Sequence, residues 1–475
     1  MRKRLLSIIA VLLMMTVVLC GAWFYSEVNR KKTETPQNSL KERLTTADYV
    51  GPDLDYLDYY GLGSFETTLP VLFVDTKDRR VTKENKVWAS IAVLNKNANG
   101  EANSIETLPD YEAPITIKYR GASSYSNFDK SQYRIEFYKK EGGSKTEDYP
   151  FLDMGLNSEW VLNGPFLDKT LIRNRLIYNV AREIFEWAPD NRYVELFVDG
   201  KYQGVYLAVE PVTNGTSRLR LAEFGLLSGE TAYIVSRDRI GTEELPLDVY
   251  GKVEGKTNND LFVKYPSIRK ITEEQQNWIE KDISKFEEVL YSDGFDDPVN
   301  GYAKYIDVDN FVDYFVLNEA VMNNDAGNLS TYFYKELSGE LKVAVWDFNN
   351  SYDNYQWFKQ DFTAIFMKKS AWFNRLLQDR LFVDKVVKRY HELRQGVLST
   401  EQLHQNIDDY QVELDGAIER NFAIWGYSFE KNLLSGEGRD LKDYESAILQ
   451  LKQAISRRLD YLDHHLADLY EDCID

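Results

Sequence analysis

The sequence predicts an α+β fold with a β-rich N-terminal part, a helical C-terminal part and one apolar segment ahead of both. Three observations carry this reading. From residue 66 to about 265, apolar and β-branched residues alternate with polar ones at period two, the pattern of half-buried strands. Beyond Thr272 the apolar spacing lengthens to that of helices, with capping signatures at Thr272 and Ser399. At the start, Arg2, Lys3 and Arg4 precede an apolar run of 21 residues, Leu5 to Tyr25.

That run is long enough to cross roughly 30 Å of hydrocarbon. It is longer than the apolar core of a cleaved signal peptide, and Leu19 before Cys20 makes a poor lipoprotein cleavage site. The expectation is an uncleaved signal anchor at 5–25 in a single-pass membrane protein. Residues 1–4 would be cytoplasmic and the body extracytoplasmic, a bias that Arg30, Lys31 and Lys32 on the other flank weaken. Residues 26–65, charged and carrying Pro36, read as a tether.

The strands follow in order. "FETTLPVLFVDT" and "KVWASIAVLN" are apolar and β-branched, and "APITIKYRG" and "SQYRIEFYKK" alternate cleanly. After the turn "FLDKT", Leu171, Leu176, Val180 and Ile184 mark one helix face. "RYVELFVDGKYQGVYLAVEPV" reads as a hairpin about the two-residue turn Asp199-Gly200. "AYIVSRD" and "FVKYPS" add two strands. Thr272 with Gln275, and Ser399 with Gln402, predict capping boxes. "DVDNFVDYFVLNEAVMN" is a buried helix with Phe311, Phe315, Ala320 and Met322 inward. A stripe from Leu441 to Leu469 predicts a long helix packed on the body, with a partner-binding coiled coil as the other reading.

Composition narrows the chemistry. The chain has 475 residues, 43% hydrophobic and 14% aromatic, enough for a large core. Its net charge is −19, from 57 basic and 76 acidic residues. That argues against nucleic acid as a partner, since phosphate backbones need clustered Lys and Arg. Cys20 and Cys473 are the two cysteines, one near each end, so no disulfide framework or cysteine zinc site can be drawn. The four histidines, His391, His404, His464 and His465, all lie in the helical C-terminal part and read as surface residues. Carboxylates, amides, Lys and Arg remain to do chemistry.

One stretch stands out: "ELKVAVWDFNNSYDN", where a strand runs into Asp347, Phe348, Asn349 and Asn350, with Asp353 beyond. It is either a polar turn or a strand delivering oxygen ligands to a metal. Asp325 lies 347 − 325 = 22 residues upstream at the end of the buried helix, followed by Asn328 and a strand hairpin. Asp plus Asn suits a hard cation that also carries phosphate oxygens, and kinases order a catalytic Asp, an Asn ligand and a strand-end Asp in this way. The loop Arg120-Gly121-Ala122-Ser123-Ser124, with Lys130 and Arg134 beyond, could cradle phosphate or be an ordinary hairpin. "GKVEGKTNN" resembles a P-loop, but three residues, not four, separate Gly251 from Gly255; it reads as a surface loop.

In order, "YRGASSYSNFDKSQYRIEF", "EWVLNGPFLDKTLIRNRLIYNVA", "VELFVDGKYQGVYLAVEPV", "DNFVDYFVLNEAVMNND" and "VWDFNNS" resemble the CotH family over roughly 66–395, leaving 396–475 as a helical extension. The resemblance implies an atypical protein-kinase-like two-lobed fold that transfers phosphate from ATP, with Mg2+ or Mn2+, to Ser or Thr of a cell-surface or spore-coat protein. It implies Asp325 as the catalytic residue and Asp347 as a metal ligand, with Asn328 or Ser330 at the second ligand position. Lys130 would be the phosphate lysine, with Arg120, Ser123, Ser124 and Arg134 at the nucleotide. Arg173, Asn174 and Glu210 match further motifs, either contacting nucleotide or holding the lobes together through buried ion pairs. Ser131 stands where the family often has a second basic residue, and a substituted ligand at the Asn328 or Ser330 position would open a catalytically silent scaffold for surface or coat assembly. A metal-dependent transferase acting on a surface polymer is a third reading.

Overall fold

The computed structural model describes residues 49–96, 99–222, 229–239, 245–257 and 259–474. It is an α+β molecule, β-rich first and helical last, as the periodicities predict. Seven strands form a closed barrel: β1 (Val71–Asp75), β2 (Val87–Leu94), β3 (Tyr111–Arg120), β4 (Gln132–Phe137), β5 (Glu159–Asn163), β6 (Asn191–Val198) and β7 (Lys201–Val209). The spatial order is β6-β7-β5-β4-β3-β2-β1. The barrel closes by a parallel pairing of β1 with β6, Val71 opposite Glu195 and Val74 opposite Val198. Closure leaves no unpaired edge. The interior is a dry core of Leu72, Ile91, Ile115, Ile135, Trp160 and Tyr206, alternate residues of their strands. The Asp199-Gly200 turn has φ of 50° and 76°, the left-handed pair that a primed hairpin turn requires.

Below the barrel lies helix α1 (Arg173–Ile184), then a four-stranded antiparallel sheet ordered β9-β8-β10-β11. Its strands are β8 (Tyr233–Arg237), β9 (Leu261–Tyr265), β10 (Thr331–Lys335) and β11 (Lys342–Ala344). Helices α2 (Glu273–Leu290), α3 (Val308–Ala320), α4 (Arg380–Arg394), α5 (Thr400–Leu414), α6 (Ala417–Trp425) and α7 (Tyr444–His465) complete the body. The capping box at Thr272 is complete, with reciprocal bonds of 3.2 and 3.0 Å to Gln275. At Ser399 half of it forms: the hydroxyl accepts from the Gln402 amide, but the Gln402 side chain turns to Asn406.

Two boundaries differ from expectation. Residues 49–65 are part of the body: Leu57 and Phe65 are buried with Phe73 and Tyr202, and the Asp53 amide donates to the Gly200 carbonyl. Only five-residue spacings of Leu and Tyr signal this. Residues 396–474 pack on the body, as the stripe from Leu441 to Leu469 predicts, but belong to it more fully than an extension would, because Leu403, Ile407, Leu451, Ile455 and Leu462 join the same core as α1 and α3. Arg458 of α7 forms a fully buried ion pair at 2.8 Å with Glu319 of α3. No helix among the described residues is long and apolar enough to cross a membrane; the run 5–25 lies outside them.

Candidate active site

Two acidic residues and their supports meet where α3, β11 and α1 converge. Helix α3 is apolar on nearly every side and buried, and polar links at its end carry order outward. The Asn323 amide group donates to Asn318 Oδ1 (2.9 Å), and Asn323 Oδ1 accepts from the Asp325 backbone at 3.3 Å. Asn350 Nδ2 then donates to Asp325 Oδ2 at 3.2 Å. Asp325 and the turn after β11 are thus joined directly, as their spacing in the sequence suggests.

Helix α1 holds that turn. The Asp347 amide donates to the Tyr178 hydroxyl at 3.1 Å, and the Phe348 amide to Asn174 Oδ1 at 2.8 Å. Arg173 Nε donates to the Ser351 carbonyl at 2.9 Å while its Nη1 pairs with Asp168 at 2.6 Å. The "LIRN" motif therefore shapes the acid-bearing turn from beneath it. Asp347 itself takes the left-handed φ of 61°, a conformation costly for a residue with a Cβ and usually kept where the surroundings over-determine it.

Electrostatics sets Asp347 apart. Burial pushes its carboxyl up to about 6; nearby Arg120 opposes this, and the negative charges of Asp325 and Asp238 add to it. Burial likewise raises Asp325, against the hydrogen bond from Asn350. Arg120 caps β3, stacks 5.5 Å over the Trp346 ring and donates to Gln132 at 2.9 Å. Three carboxylates, Asp347, Asp325 and Asp238, against two guanidiniums, Arg120 and Arg239, leave negative charge in excess. Asn349 Oδ1 is buried there without a hydrogen-bond partner, and an orphaned carbonyl oxygen beside a carboxylate is a ready cation ligand. Asp347, Asp325, Asn349 and Asn350 thus fit a hard divalent ion, which would neutralise the carboxylates and bind phosphate oxygens. Among the described residues, no group of three or more His, Cys, Asp or Glu side chains could hold a metal by itself. Amides must complete any ligand set.

The remaining residues named from sequence divide. Ser123 and Ser124 begin the short helix Ser123–Asn127 just past Arg120. At Gly121, φ is +94° and a Cβ would meet Ser124 Oγ at 2.0 Å, so glycine is required where the loop folds on itself. Asn127 at its end contacts Gln356 at 3.2 Å, bringing this loop to the segment beyond Asp347. Arg134 lies on β4 in an ion pair with Glu159 at 2.7 Å. Asn328 lines an open cleft with Asp325, but its Nδ2 donates to Ser370 Oγ at 3.1 Å; Asn350 is the amide bonded to Asp325. Ser330 has φ of 49°.

Lys130 and Glu210 do not join the acids. Lys130 is 1% exposed, and its ammonium donates to the Val205 carbonyl at 2.6 Å and Asn421 Oδ1 at 2.7 Å. Burial and Lys169 hold its pKa well below the ordinary lysine range. The phosphate role expected of it is replaced by a tie between the barrel and α6, which an alternating strand pattern cannot reveal. Glu210 accepts from the Asp190 amide at 3.0 Å and faces Arg218 at 3.9 Å, the buried-pair arrangement that is one of its two readings. Conversely, Lys256 and Thr257 of the "GKVEGKTNN" loop line the Asp325 cleft. Near-miss motif spacing was the sole signal for them, and it concerned a different structure.

The family model described as CotH kinase protein matches residues 117–462, and the chain belongs to that family. The match runs well past 395, in keeping with the shared core of the C-terminal helices. Among curated proteins, the inner spore coat protein H of Bacillus subtilis (strain 168) is 26% identical over 288 residues, covering 60% of this chain and 69% of that protein.

Proposed function

We propose that this chain is an atypical protein kinase of the CotH family, a two-lobed enzyme that moves the γ-phosphoryl of ATP to a Ser or Thr hydroxyl of a surface or spore-coat protein. The observation that carries this reading is the desolvated pair Asp325, bonded by Asn350, and Asp347, flanked by Arg120. Asp347 with Asn349 and Asn350 would hold Mg2+ or Mn2+, which when bound neutralises the phosphate oxygens. Arg120 and the backbone of the Gly121–Ser124 loop would meet the phosphates. Asp325 would orient the acceptor hydroxyl and receive its proton as the new O–P bond forms; the bond between the γ-phosphorus and the bridging oxygen breaks, and ADP leaves. Anchoring through residues 5–25, with the body outside the cytoplasm, belongs to the same proposal, as does the spore-coat setting suggested by the name of the Bacillus subtilis relative.

The test is transfer of label from γ-labelled ATP to protein, with Mn2+ or Mg2+, by the wild type, Asp325→Asn and Asp347→Asn. Label in the wild type that falls at least a hundredfold in both variants supports the reading, general acid–base positioning alone being worth about 100-fold or more. Equal labelling by all three would move the transfer away from Asp325 and Asp347; no labelling with coat proteins as acceptors moves the function to a silent scaffold.

A further inference from the structure

The cleft beside Asp325 has an occupant of definable chemistry, and this inference rests on the kinase reading above. The cleft is open, about 340 Å³, and its lining includes Asp325, Asn328, Tyr355, Lys256, Thr257 and Lys369. Asp347 and Arg120 are not part of it. It therefore opens from the acid that would handle the acceptor hydroxyl, away from the acid that would hold the metal.

The charge of this cleft is at odds with the rest of the molecule. The chain carries −19 overall, yet Lys256 and Lys369 are exposed and neither makes an ion pair among the described residues. Lys256 lies 5.9 Å over the Tyr291 ring. Neighbouring lysines behave otherwise: Lys252 bridges Asp248 and Asp260, and Lys368 pairs with Asp472. Two cations without an ion-pair partner among the described residues thus line the same cleft as the Asp325 carboxylate.

Both lysine-bearing walls are built, not loose. Buried Glu287 of α2 accepts from the Gly251 amide at 2.7 Å and from Trp372 Nε1 at 2.8 Å. One carboxylate thus clamps the 250–257 loop and the 366–372 segment together. A Cβ at Gly251 would sit 2.7 Å from Glu287 Oε1, so glycine is what admits the clamp. Arg237, also buried, stacks 4.3 Å over Trp372 and donates to the Gly327 carbonyl at 3.0 Å, linking the clamp to the Asp325 loop. Ser370 Oγ donates to the Ala326 carbonyl at 2.7 Å, a second tie. The backbone segments that carry the lysines are thus tied to the Asp325 loop before anything binds, which leaves only the two side chains to be ordered on binding.

We infer that this cleft docks the acceptor segment and that Lys256 and Lys369 select a segment with an anionic side chain beside the hydroxyl. The hydroxyl points to Asp325; the anionic neighbour lies against the lysines, since it would be repelled at the acidic end. The anion has two sources: a carboxylate of Asp or Glu, or a phosphoester left by an earlier round of transfer.

The test uses the folded chain with fluorescent Ser-centred peptides of four kinds, flanked by Asp/Glu, by phosphoserine, by neutral residues or by Lys/Arg. Binding is read by anisotropy and phosphorylation separately. The wild type should bind the carboxylate or phosphoserine peptides about tenfold tighter than the basic ones, an advantage that shrinks with added salt. The double variant Lys256→Glu/Lys369→Glu should invert the order, with its circular dichroism and unfolding midpoint unchanged because both side chains are exposed. Comparison of the two anionic sets identifies the source. Anionic preference without transfer would keep the docking inference and reject the kinase reading. Transfer with no charge preference, or with a basic preference that the double variant leaves intact, would overturn the inference and keep the kinase. No discrimination in binding would also overturn it.

Discussion

Replacing Asp347 by Asn should stabilise the metal-free protein, an unusual outcome for a change at a buried polar site. Burial, aided by Asp325 and Asp238 and opposed by Arg120, raises the Asp347 carboxyl from 3.8 to about 6 in the folded chain. The fold therefore favours the protonated form. Stability from this group is fully present below about pH 4 and declines as pH rises through about 6, after which the ionised carboxylate is a standing cost. Roughly two pK units at 1.36 kcal/mol each put that cost at about 3 kcal/mol above pH 7. Asn has no charge to desolvate, and it tolerates the left-handed φ of 61° better than most residues. Urea unfolding of the wild type and Asp347→Asn in EDTA should show the variant more stable by up to about 3 kcal/mol at pH 8 and no difference near pH 4. Millimolar Mg2+ should stabilise the wild type at pH 8 and leave the variant where it was. A variant less stable than the wild type at pH 8, or equally helped by Mg2+, would refute the electrostatic account of this turn.

Other outcomes follow from the same geometry. Glu210, raised by burial to about 7, loses its stabilising protonated form as pH climbs from about 4.5 through 7, so Glu210→Gln should flatten the pH dependence of the unfolding midpoint in that window without changing nucleotide affinity. Lys130→Met removes the ammonium that donates to the Val205 carbonyl and one of the two donors to Asn421 Oδ1, which keeps the Val205 amide; it should cost about 1–3 kcal/mol of stability by denaturant unfolding and leave the KM for ATP within about twofold. Arg458→Ala leaves Glu319 charged and buried and should destabilise by about 3–5 kcal/mol in the same assay. Asn174→Ala removes the acceptor of the Phe348 amide and should lower the transfer rate more than it lowers stability, read from kcat against the urea midpoint.

The elements that sequence reveals best are those fixed by neighbouring residues. The Asp199-Gly200 hairpin, the Thr272 cap and the helix leading to Asp325 all depend on contacts a few positions apart, and each stands where its pattern places it. The pairing of Asp325 with the Asp347 turn was legible too, because one helix end and one short hairpin separate them. Barrel closure was not: Val71 meets Glu195 in a parallel ladder, and alternation along either strand is silent on its partner. β5, with Trp160, Val161 and Leu162 in a row, lacks the alternation that marks a strand, since its neighbours cover both faces. Lys130 misled for a related reason. Its place after a serine-rich loop suggests phosphate, but Asn421, far along the chain, supplies the acceptor that lets the ammonium be buried. The Lys256 loop reaches Asp325 only through Glu287 and Trp372, contacts between segments that no local pattern joins.

The central claim is that Asp347, with Asp325 across from it, builds a divalent-metal and nucleotide centre. Its most direct test is a Mn2+ titration followed by electron paramagnetic resonance, with and without ATP, on the wild type and Asp347→Asn. The account predicts one Mn2+ site per chain that tightens when ATP is present and is lost in the variant. Mn2+ binding that ATP does not alter, or that survives intact in Asp347→Asn, would contradict it.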